Sequence, residues 1–271
     1  MQDLTDRVTL KESQYKDSTN LNARILLHKR FSVNPYGWYH WLMDQFDGLE
    51  AGLLLELGCG SGALWSQRSG GIFPGCRFIL TDFSEGMLKQ AKRQLGDQES
   101  YRFMVVDAQD LPFKTRQFDV VIANHMLYHV PDRTKVLSEI HRVLKPGKKF
   151  YASTVGKSHL HELSELMARF DPGLAFVDGG AENFNLQNGG QQIEAGFSEV
   201  LVTKYEDSLE ITEAQPLIDY VISIVDRPMD LVEQRSLADF IRQEINQKGT
   251  IHITKESGLF TAVSSTVPGL T

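Results

Sequence analysis

The sequence predicts an α/β protein built on a doubly wound, mostly parallel sheet with helices on both faces. Two observations carry this prediction. Short apolar stretches alternate with amphipathic helical stretches from Leu53 to Thr154, a pattern typical of parallel strands joined by helical crossovers. The first apolar stretch also runs directly into a glycine cluster between Gly58 and Gly62, where a strand is expected to meet a helix.

Five strands are predicted in this region, each a short apolar or β-branched run: Leu53–Leu57, Arg77–Thr81, Tyr101–Val106, Phe118–Ala123 and Lys149–Thr154. Helical periodicity fills two of the intervals between them. Ser84 is a typical N-cap for the first of these helices, and Asp132 for the second. Pro146, followed by glycine, is expected to end the second helix.

The flanking segments read as mainly helical. Residues 1–50 predict an N-terminal helical lid over a core at 51–155, and residues 156–271 predict substrate-side helices and the last strands of a single domain. Within that last part, helices are predicted at His159–Phe170, Glu213–Val225 and Asp230–Lys248, a loop at Asp171–Gly190, and strands at Val200–Tyr205, Ile251–Ile253 and Leu259–Val263.

Composition excludes several classes of protein. Hydrophobic residues make up 41% and charged residues 23% of the 271 residues, which excludes a wholly disordered chain. The net charge of −7 argues against a nucleic-acid partner. Two cysteines, Cys59 and Cys76, form neither a disulfide framework nor a zinc pattern. Because the chain has no signal-peptide pattern and no run of ~18 apolar residues, we expect a cytoplasmic protein with no membrane partner; its oligomeric state stays open.

The glycine loop alone is compatible with two kinds of cofactor. Gly58-x-Gly60-x-x-Ala63 has dinucleotide-binding spacing, and Asp82 follows at the distance of a ribose-binding acid. The charges at the strand ends separate the two interpretations. Glu56, Asp82 and Asp107 put three carboxylates around one crevice, and the loop holds no arginine or lysine. A pyrophosphate fits poorly there, whereas the sulfonium and ammonium of S-adenosylmethionine outweigh its single carboxylate.

Five sequence blocks then carry a family resemblance: LLLELGCGSG, ILTDFSEGML, VVDAQDLPF, FDVVIANHMLYHV and LSEIHRVLKPG. In order and spacing they resemble the motifs of class I S-adenosylmethionine-dependent methyltransferases, above all the small-molecule branch with a "type 11" domain. The resemblance covers about Leu53–Thr154. It implies a Rossmann-like, doubly wound seven-stranded sheet with an antiparallel last strand and a helical insertion near the C-terminus. Val200–Tyr205 and Leu259–Val263 would be its last two strands.

The resemblance also implies roles for individual residues. It implies contacts with S-adenosylmethionine for Glu56, Gly58, Gly60 and Gly62 (methionine part), Asp82 (ribose), Phe83, Met87, Asp107 and Ala108 (adenine), and Asn124 (near the methyl group). Structural readings remain open for some of them. Glu56 could hold backbone amides, Asp107 could shape a turn, and Phe83 and Met87 could be core residues.

Methyl transfer is an in-line displacement that leaves S-adenosylhomocysteine and needs a base only when the nucleophile arrives protonated. Our candidate base or orienting residue is His125, with Tyr128 behind it. His129 is predicted to be packed or capping. Solvated helix faces are predicted for His28, Lys29 and Arg30, and for His159 and His161. No metal constellation and no covalent cysteine is expected.

The leading hypothesis is therefore a methyltransferase acting on a small organic acceptor at an O, N, C or S atom. Three alternatives stay open. The acceptor could be RNA or protein, the glycine loop could serve a nicotinamide-dependent oxidoreductase, or the pocket could belong to a non-catalytic binding protein.

Overall fold

The structure, a computed structural model, describes residues 18–46, 51–66, 73, 75–174, 181–225 and 227–265. Predictions for residues 1–17 and 47–50 lie outside these ranges. The described residues form a seven-stranded sheet in the order β3-β2-β1-β4-β5-β7-β6. The strands are β1 Leu53–Leu57, β2 Arg77–Asp82, β3 Tyr101–Val105, β4 Phe118–Asn124, β5 Leu144–Val155, β6 Phe197–Ile211 and β7 Ile251–Ser264. β1 to β5 are parallel, and β7 lies antiparallel to both β5 and β6. The predicted fold class is confirmed, including the antiparallel last strand.

The helices of the described ranges cover both faces of the sheet and the carboxyl ends of its parallel strands. They are α1 Ser18–Phe31, α2 Trp38–Asp44, α3 Ala63–Ser66, α4 Glu85–Leu95, α5 Arg133–Val143, α6 His161–Phe170, α7 Gly189–Glu194, α8 Ala214–Ile224 and α9 Leu231–Lys248, with a 3₁₀ turn at Leu127–His129. The predicted N-caps are confirmed, because Ser84 and Asp132 accept from backbone amides at the starts of α4 and α5. None of these described helices has the length and apolar character needed to cross a membrane.

Some predicted boundaries are wrong. Helix α5 ends at Val143, because Leu144 already pairs with Phe118 of β4, and the register shifts after that pair. Proline at position 146 therefore follows the helix instead of ending it. The two short strands predicted at the C-terminus are one strand, β7, which pairs along nearly its whole length with a β6 longer than predicted. Helix α7 begins inside the predicted loop.

Three apolar clusters hold the layers together. One packs α5 against β1, β4 and β5, with Ile140 and Phe150 fully buried. A second, around Trp65 and Phe78, packs α2, α3 and α4 on the sheet. The third joins α1, α6, α8 and α9 to the outer parts of β6 and β7 around buried residues such as Leu217. This third cluster fixes α1 beside the carboxyl ends of the parallel strands.

Candidate cofactor and acceptor site

A cavity of about 980 Å³ lies outside the carboxyl ends of β1, β2 and β4. In doubly wound sheets this edge, where the strand order changes direction, is the usual ligand site. All the predicted site residues line the cavity except Gly62. Its other walls come from α1, α2, the 3₁₀ turn and β7, including Arg24, Trp38 and Lys255. The cavity therefore has a cofactor half near the glycine loop and a facing half, which we call the acceptor half.

The loop after β1 places its glycines in two different environments. At Gly60, φ is +55° and no atom lies within 4 Å of the position a side chain would take, so the backbone faces open space in the cavity. At Gly62, φ is +78°, and a Cβ would lie 2.9 Å from Leu95 and 3.3 Å from Ala91 of α4. The first glycine leaves room for a ligand, and the second lets the loop pack on a helix.

Asp82 is held rigidly at the end of β2. Its Oδ2 accepts from the Gly60 amide at 2.9 Å, and its Oδ1 accepts from the Ser84 amide at 2.8 Å. Burial raises the pKa of this carboxyl, while the backbone hydrogen bonds lower it. A carboxylate has about four acceptor sites, so the backbone amides of Gly60, Ser84 and Phe83 leave it able to accept a further hydrogen bond. The side chain therefore fits the ribose hydroxyls of an adenosyl cofactor.

Glu56 lies at the base of the cofactor half with 1% of its surface exposed. Trp65 Nε1 donates to its Oε2 at 2.5 Å, a structural contact that the sequence did not indicate. Burial raises the pKa of this carboxyl to about 8, and the nearby Asp82 adds to the rise. A cationic group in the cavity would offset this cost. The Glu56 carboxylate, an acceptor with negative charge, therefore fits the ammonium and sulfonium of S-adenosylmethionine.

The remaining cofactor-half residues have mixed roles. Asp107 accepts a hydrogen bond from the backbone amide of Gln109 at 3.0 Å, which is the turn-shaping role left open by the sequence. The same side chain also lines the cavity. Ala108 and Phe83 form partly exposed apolar walls, and Met87 is 2% exposed. An adenine ring fits between such walls, with a carboxylate at its edge.

His125 occupies a constrained position directly after β4. Its φ is +50°, a left-handed conformation that costs a non-glycine residue about 1–2 kcal/mol. Its amide donates to the Ser153 carbonyl at 3.2 Å and to Ser153 Oγ at 3.0 Å, and the same hydroxyl donates to Asn124 Oδ1. These bonds to β5 hold the turn that directs the imidazole into the cavity.

The ring of His125 stands between aromatic neighbours. Its centroid lies 5.1 Å from that of Trp38 and 6.4 Å from that of Tyr128. Burial, followed by the charge of Lys255, lowers the pKa of His125 to about 4. The imidazole is therefore neutral at neutral pH and keeps a lone pair that can accept a proton.

The predicted solvated positions of His28 and His159 are wrong. Both line the cavity, with stacked rings 6.4 Å apart. His159 precedes α6 instead of lying on it, and burial lowers its pKa well below the ordinary value. Burial also lowers the pKa of His28 to about 3. They come together because α1 packs against α8 and β6, contacts that no local sequence pattern encodes.

The other positions predicted to be solvated are exposed as expected, although Lys29 also lines the cavity. Lys29, Arg30 and His161 are exposed, and Arg30 pairs with Glu213. His129 packs on Tyr128, at 4.5 Å between ring centroids; it lines the cavity too, and burial lowers its pKa to about 4. In the described parts of the chain, no three His, Cys, Asp or Glu side chains are grouped to hold a metal ion.

Two cations of the acceptor half were missed by sequence reasoning. Lys255 of β7 donates to Asp207 of β6, and this carboxylate also accepts from Ser32 Oγ and, at 3.0 Å, from the Asn34 amide. Arg24 of α1 donates to the Ser223 carbonyl at 2.6 Å. Neither belongs to a motif, and only the packing of α1 and β7 around the cavity brings them there.

Comparison with known proteins identifies the central part of the chain. Residues 55–152 match the family model described as a methyltransferase domain. This part of the chain is similar to the methyltransferase domain family. It contains the glycine loop, Asp82, Asp107 and His125, and its matched boundaries lie close to the predicted core at 51–155.

The chain matches two curated methyltransferases over part of their length. The chain is 27% identical over 164 residues to malonyl-[acyl-carrier protein] O-methyltransferase 1 of Ilyobacter polytropus, covering 59% of this chain and 60% of that protein. It is 38% identical over 112 residues to the demethylmenaquinone methyltransferase of Lactococcus lactis, covering 41% of this chain and 44% of that one. The chain thus spans 60% or less of these two relatives.

A solved structure extends the likeness of fold beyond the methyltransferase domain. Phosphoethanolamine N-methyltransferase 2 of Haemonchus contortus, in complex with phosphomonomethylethanolamine and S-adenosylhomocysteine, superposes with a TM-score of 0.60 at 20% identity. The match covers 98% of this chain and 61% of that one. At this identity the likeness concerns the fold alone.

Proposed function

We propose that this protein transfers a methyl group from S-adenosylmethionine to a small organic acceptor and leaves S-adenosylhomocysteine. The observation that carries the proposal is the cavity at the carboxyl ends of β1, β2 and β4. Its carboxylates are gathered on one side, and all of them belong to the matched residues. The demethylmenaquinone and malonyl acceptors named for the two relatives support a small or carrier-bound acceptor. The single-domain organisation and cytoplasmic location expected from the sequence remain part of this proposal.

The cofactor roles are assigned as the resemblance implies. The methionine part would contact Glu56 and the loop glycines, Asp82 would accept from the ribose hydroxyls, and Asp107 would border the adenine. Asn124, at the end of β4, would lie near the methyl group. When bound, the cofactor supplies an activated methyl group on a sulfonium, so the protein's main task is to align the nucleophile and exclude water. Orientation alone is worth about 7–11 kcal/mol in comparable reactions.

His125 is our candidate for moving a proton. Its neutral imidazole would accept the proton of a hydroxyl, amine or thiol nucleophile as the new bond to carbon forms, and Tyr128 and Trp38 would keep the ring in place. General-base assistance of this kind contributes about 10²–10⁴ in rate. The bonds that hold its backbone to Ser153 support a positioned rather than a freely rotating group.

The test is methyl transfer from labelled S-adenosylmethionine to pooled small acceptors, followed by comparison of His125→Ala with wild type. We expect kcat to fall about 10²–10⁴-fold while the affinity for S-adenosylhomocysteine is unchanged. Because the pKa of His125 lies near 4, the wild-type rate should fall only as pH drops toward that value. The exposed His161→Ala variant is the matched control and should keep wild-type rates.

Two results would contradict this proposal. An undiminished rate in His125→Ala would remove the base from the mechanism. Transfer to RNA or protein, with none to any small acceptor, would replace the proposed substrate class.

A further inference from the structure

The two halves of the cavity carry opposite charge. The carboxylates among its described lining residues, Glu56, Asp82 and Asp107, all belong to the cofactor half. The acceptor half is lined instead by Arg24, Lys29 and Lys255 and by several histidines and tyrosines. No described aspartate or glutamate lines that half. A ligand there meets cations and neutral hydrogen-bonding groups.

Arg24 is a partly buried cation of the acceptor half, and no described carboxylate pairs with it; Lys29, which also lines the cavity without such a partner, is exposed to solvent. It lies four residues before His28 on α1, so both side chains share one helix face. Its Nη2 and Nε donate to the Ser223 carbonyl and hydroxyl at 2.6 and 3.3 Å, which leaves further donors of the guanidinium available. Burial lowers the pKa of His129, and the charge of Arg24 lowers it further; both side chains line the cavity.

Lys255 differs from Arg24 in having a dedicated partner. Its ammonium donates to Asp207, whose side chain has no exposed surface, and only 9% of the lysine side chain is exposed. The charge of Lys255 is therefore already balanced by Asp207. We therefore expect an anion in the cavity to bind the guanidinium of Arg24, because partly buried charges are stabilised by pairing.

The imidazoles around Arg24 complete a site for an oxyanion. His28 and His129 are neutral at neutral pH, because burial lowers the pKa of both. A neutral imidazole offers one N–H donor. His28 Nδ1 is buried and has no hydrogen-bond partner in the described part of the protein. Donors that converge beside an arginine suit carboxylate or phosphate oxygens.

We propose that the acceptor carries an anionic group, a carboxylate or a phosphate, that Arg24 binds beside His28 and His129. This inference rests on the proposed methyl transfer, because it names the acceptor class of the same cavity. The anion would anchor the acceptor at α1, and the nucleophilic atom would lie toward His125. Aromatic side chains such as Trp38 would cover the carbon skeleton between them.

A cationic acceptor is the competing class. Trp38 and its aromatic neighbours offer ring faces, and a cation–π contact is worth about 0.5–2 kcal/mol. Such a cation would enter a half-cavity that already contains Arg24 and Lys255 and has no described carboxylate on its wall. The charge balance therefore favours the anion.

The test is calorimetric titration of the complex with S-adenosylhomocysteine, using four probes of one shape: benzoate, phenyl phosphate, benzyl alcohol and benzylamine. We expect one or both anions to bind more tightly than the alcohol and the amine, and the better anion identifies the group. Arg24→Gln should weaken anion binding about tenfold or more, as for loss of a charge-assisted hydrogen bond. Arg24→Lys should restore part of it. Arg30→Gln, an exposed arginine on the same helix, should behave as wild type.

The outcomes separate this inference from the proposed function. Tighter binding of benzylamine than of either anion, no binding of any anion, or unchanged anion affinity in Arg24→Gln would overturn the anionic acceptor. Absence of S-adenosylhomocysteine binding, before any probe is added, would instead contradict the proposed function. Equal melting temperatures of wild type and Arg24→Gln would show that a lost affinity is not a lost fold.

Discussion

Glu56 is the residue whose ionisation a cationic cofactor should change most. Burial raises its pKa to about 8, although the hydrogen bond from Trp65 lowers it, so at pH 7 and without a cofactor this carboxyl is mainly protonated. The ammonium and sulfonium of S-adenosylmethionine favour the carboxylate and lower that pKa. Binding should therefore release a proton at any pH between the lowered value and about 8.

Calorimetry at pH 7 in two buffers of different ionisation enthalpy measures that release directly. We expect Glu56→Gln to remove most of it, because the amide cannot ionise. Glu139→Gln is the matched control: Glu139 is a partly buried carboxyl that does not line the cavity, and the hydrogen bond from Arg142 holds its pKa below the usual range. Equal proton release by wild type and Glu56→Gln would show that the cofactor's charge does not reach Glu56.

Site residues could be predicted from the sequence where their distance from a predicted strand end fixes their place in the fold. Asp82 and Asp107 follow strands, and parallel strands bring their carboxyl ends to one edge, so both reach the cavity. His28 and His159 were misplaced because 131 positions separate them and helix periodicity does not reveal what packs on a helix face. Whether such residues are exposed or buried depends on which distant segment packs over them.

The strand–loop–helix unit of β1, its glycines and α3 is the element that allows a direct test. Gly62→Ala should lower the free energy of unfolding by about 1–3 kcal/mol, because the new methyl group meets Leu95 and Ala91 at a positive φ. Gly60→Ala adds a methyl group in open space and should lower the free energy of unfolding by only about 1 kcal/mol, because the only penalty is the positive φ.

The cofactor affinities should show the reverse order. Gly60→Ala places its methyl group in the cavity and should weaken S-adenosylhomocysteine binding more than Gly62→Ala does. Denaturant unfolding and calorimetry on both variants measure the two effects. A Gly60→Ala variant that binds as tightly as wild type would mean that the loop backbone does not approach the ligand.

Helices and strands could be predicted where a short local pattern, such as an apolar run or an N-cap, marks them. Buried apolar runs and N-caps located β1 to β4 and the starts of α4 and α5 closely. The full extent of β7 was not visible, because the polar stretch around Lys255 and Glu256 interrupts its apolar pattern. That stretch is polar because the strand passes beside the cavity there, where Lys255 pairs with Asp207.

At the scale of the whole molecule, the fold places two charge environments in one cavity. The cofactor half comes from the matched methyltransferase domain, whose motifs made it predictable. Much of the acceptor half comes from α1, α2 and β7, outside the matched residues and without motifs of their own. A net charge of −7 gives no sign of the cations gathered there. Tertiary packing, not composition, sets the local field.

The central claim is that this cavity binds an adenosyl cofactor and not a nicotinamide dinucleotide. The most direct measurement is calorimetric titration of the protein with S-adenosylhomocysteine and, separately, with NAD, using wild type, Asp82→Asn and the exposed control Asp97→Asn. We predict micromolar binding of S-adenosylhomocysteine that Asp82→Asn weakens at least about tenfold and Asp97→Asn leaves unchanged, with no binding of NAD. Binding of NAD, or no binding of S-adenosylhomocysteine, would contradict the account.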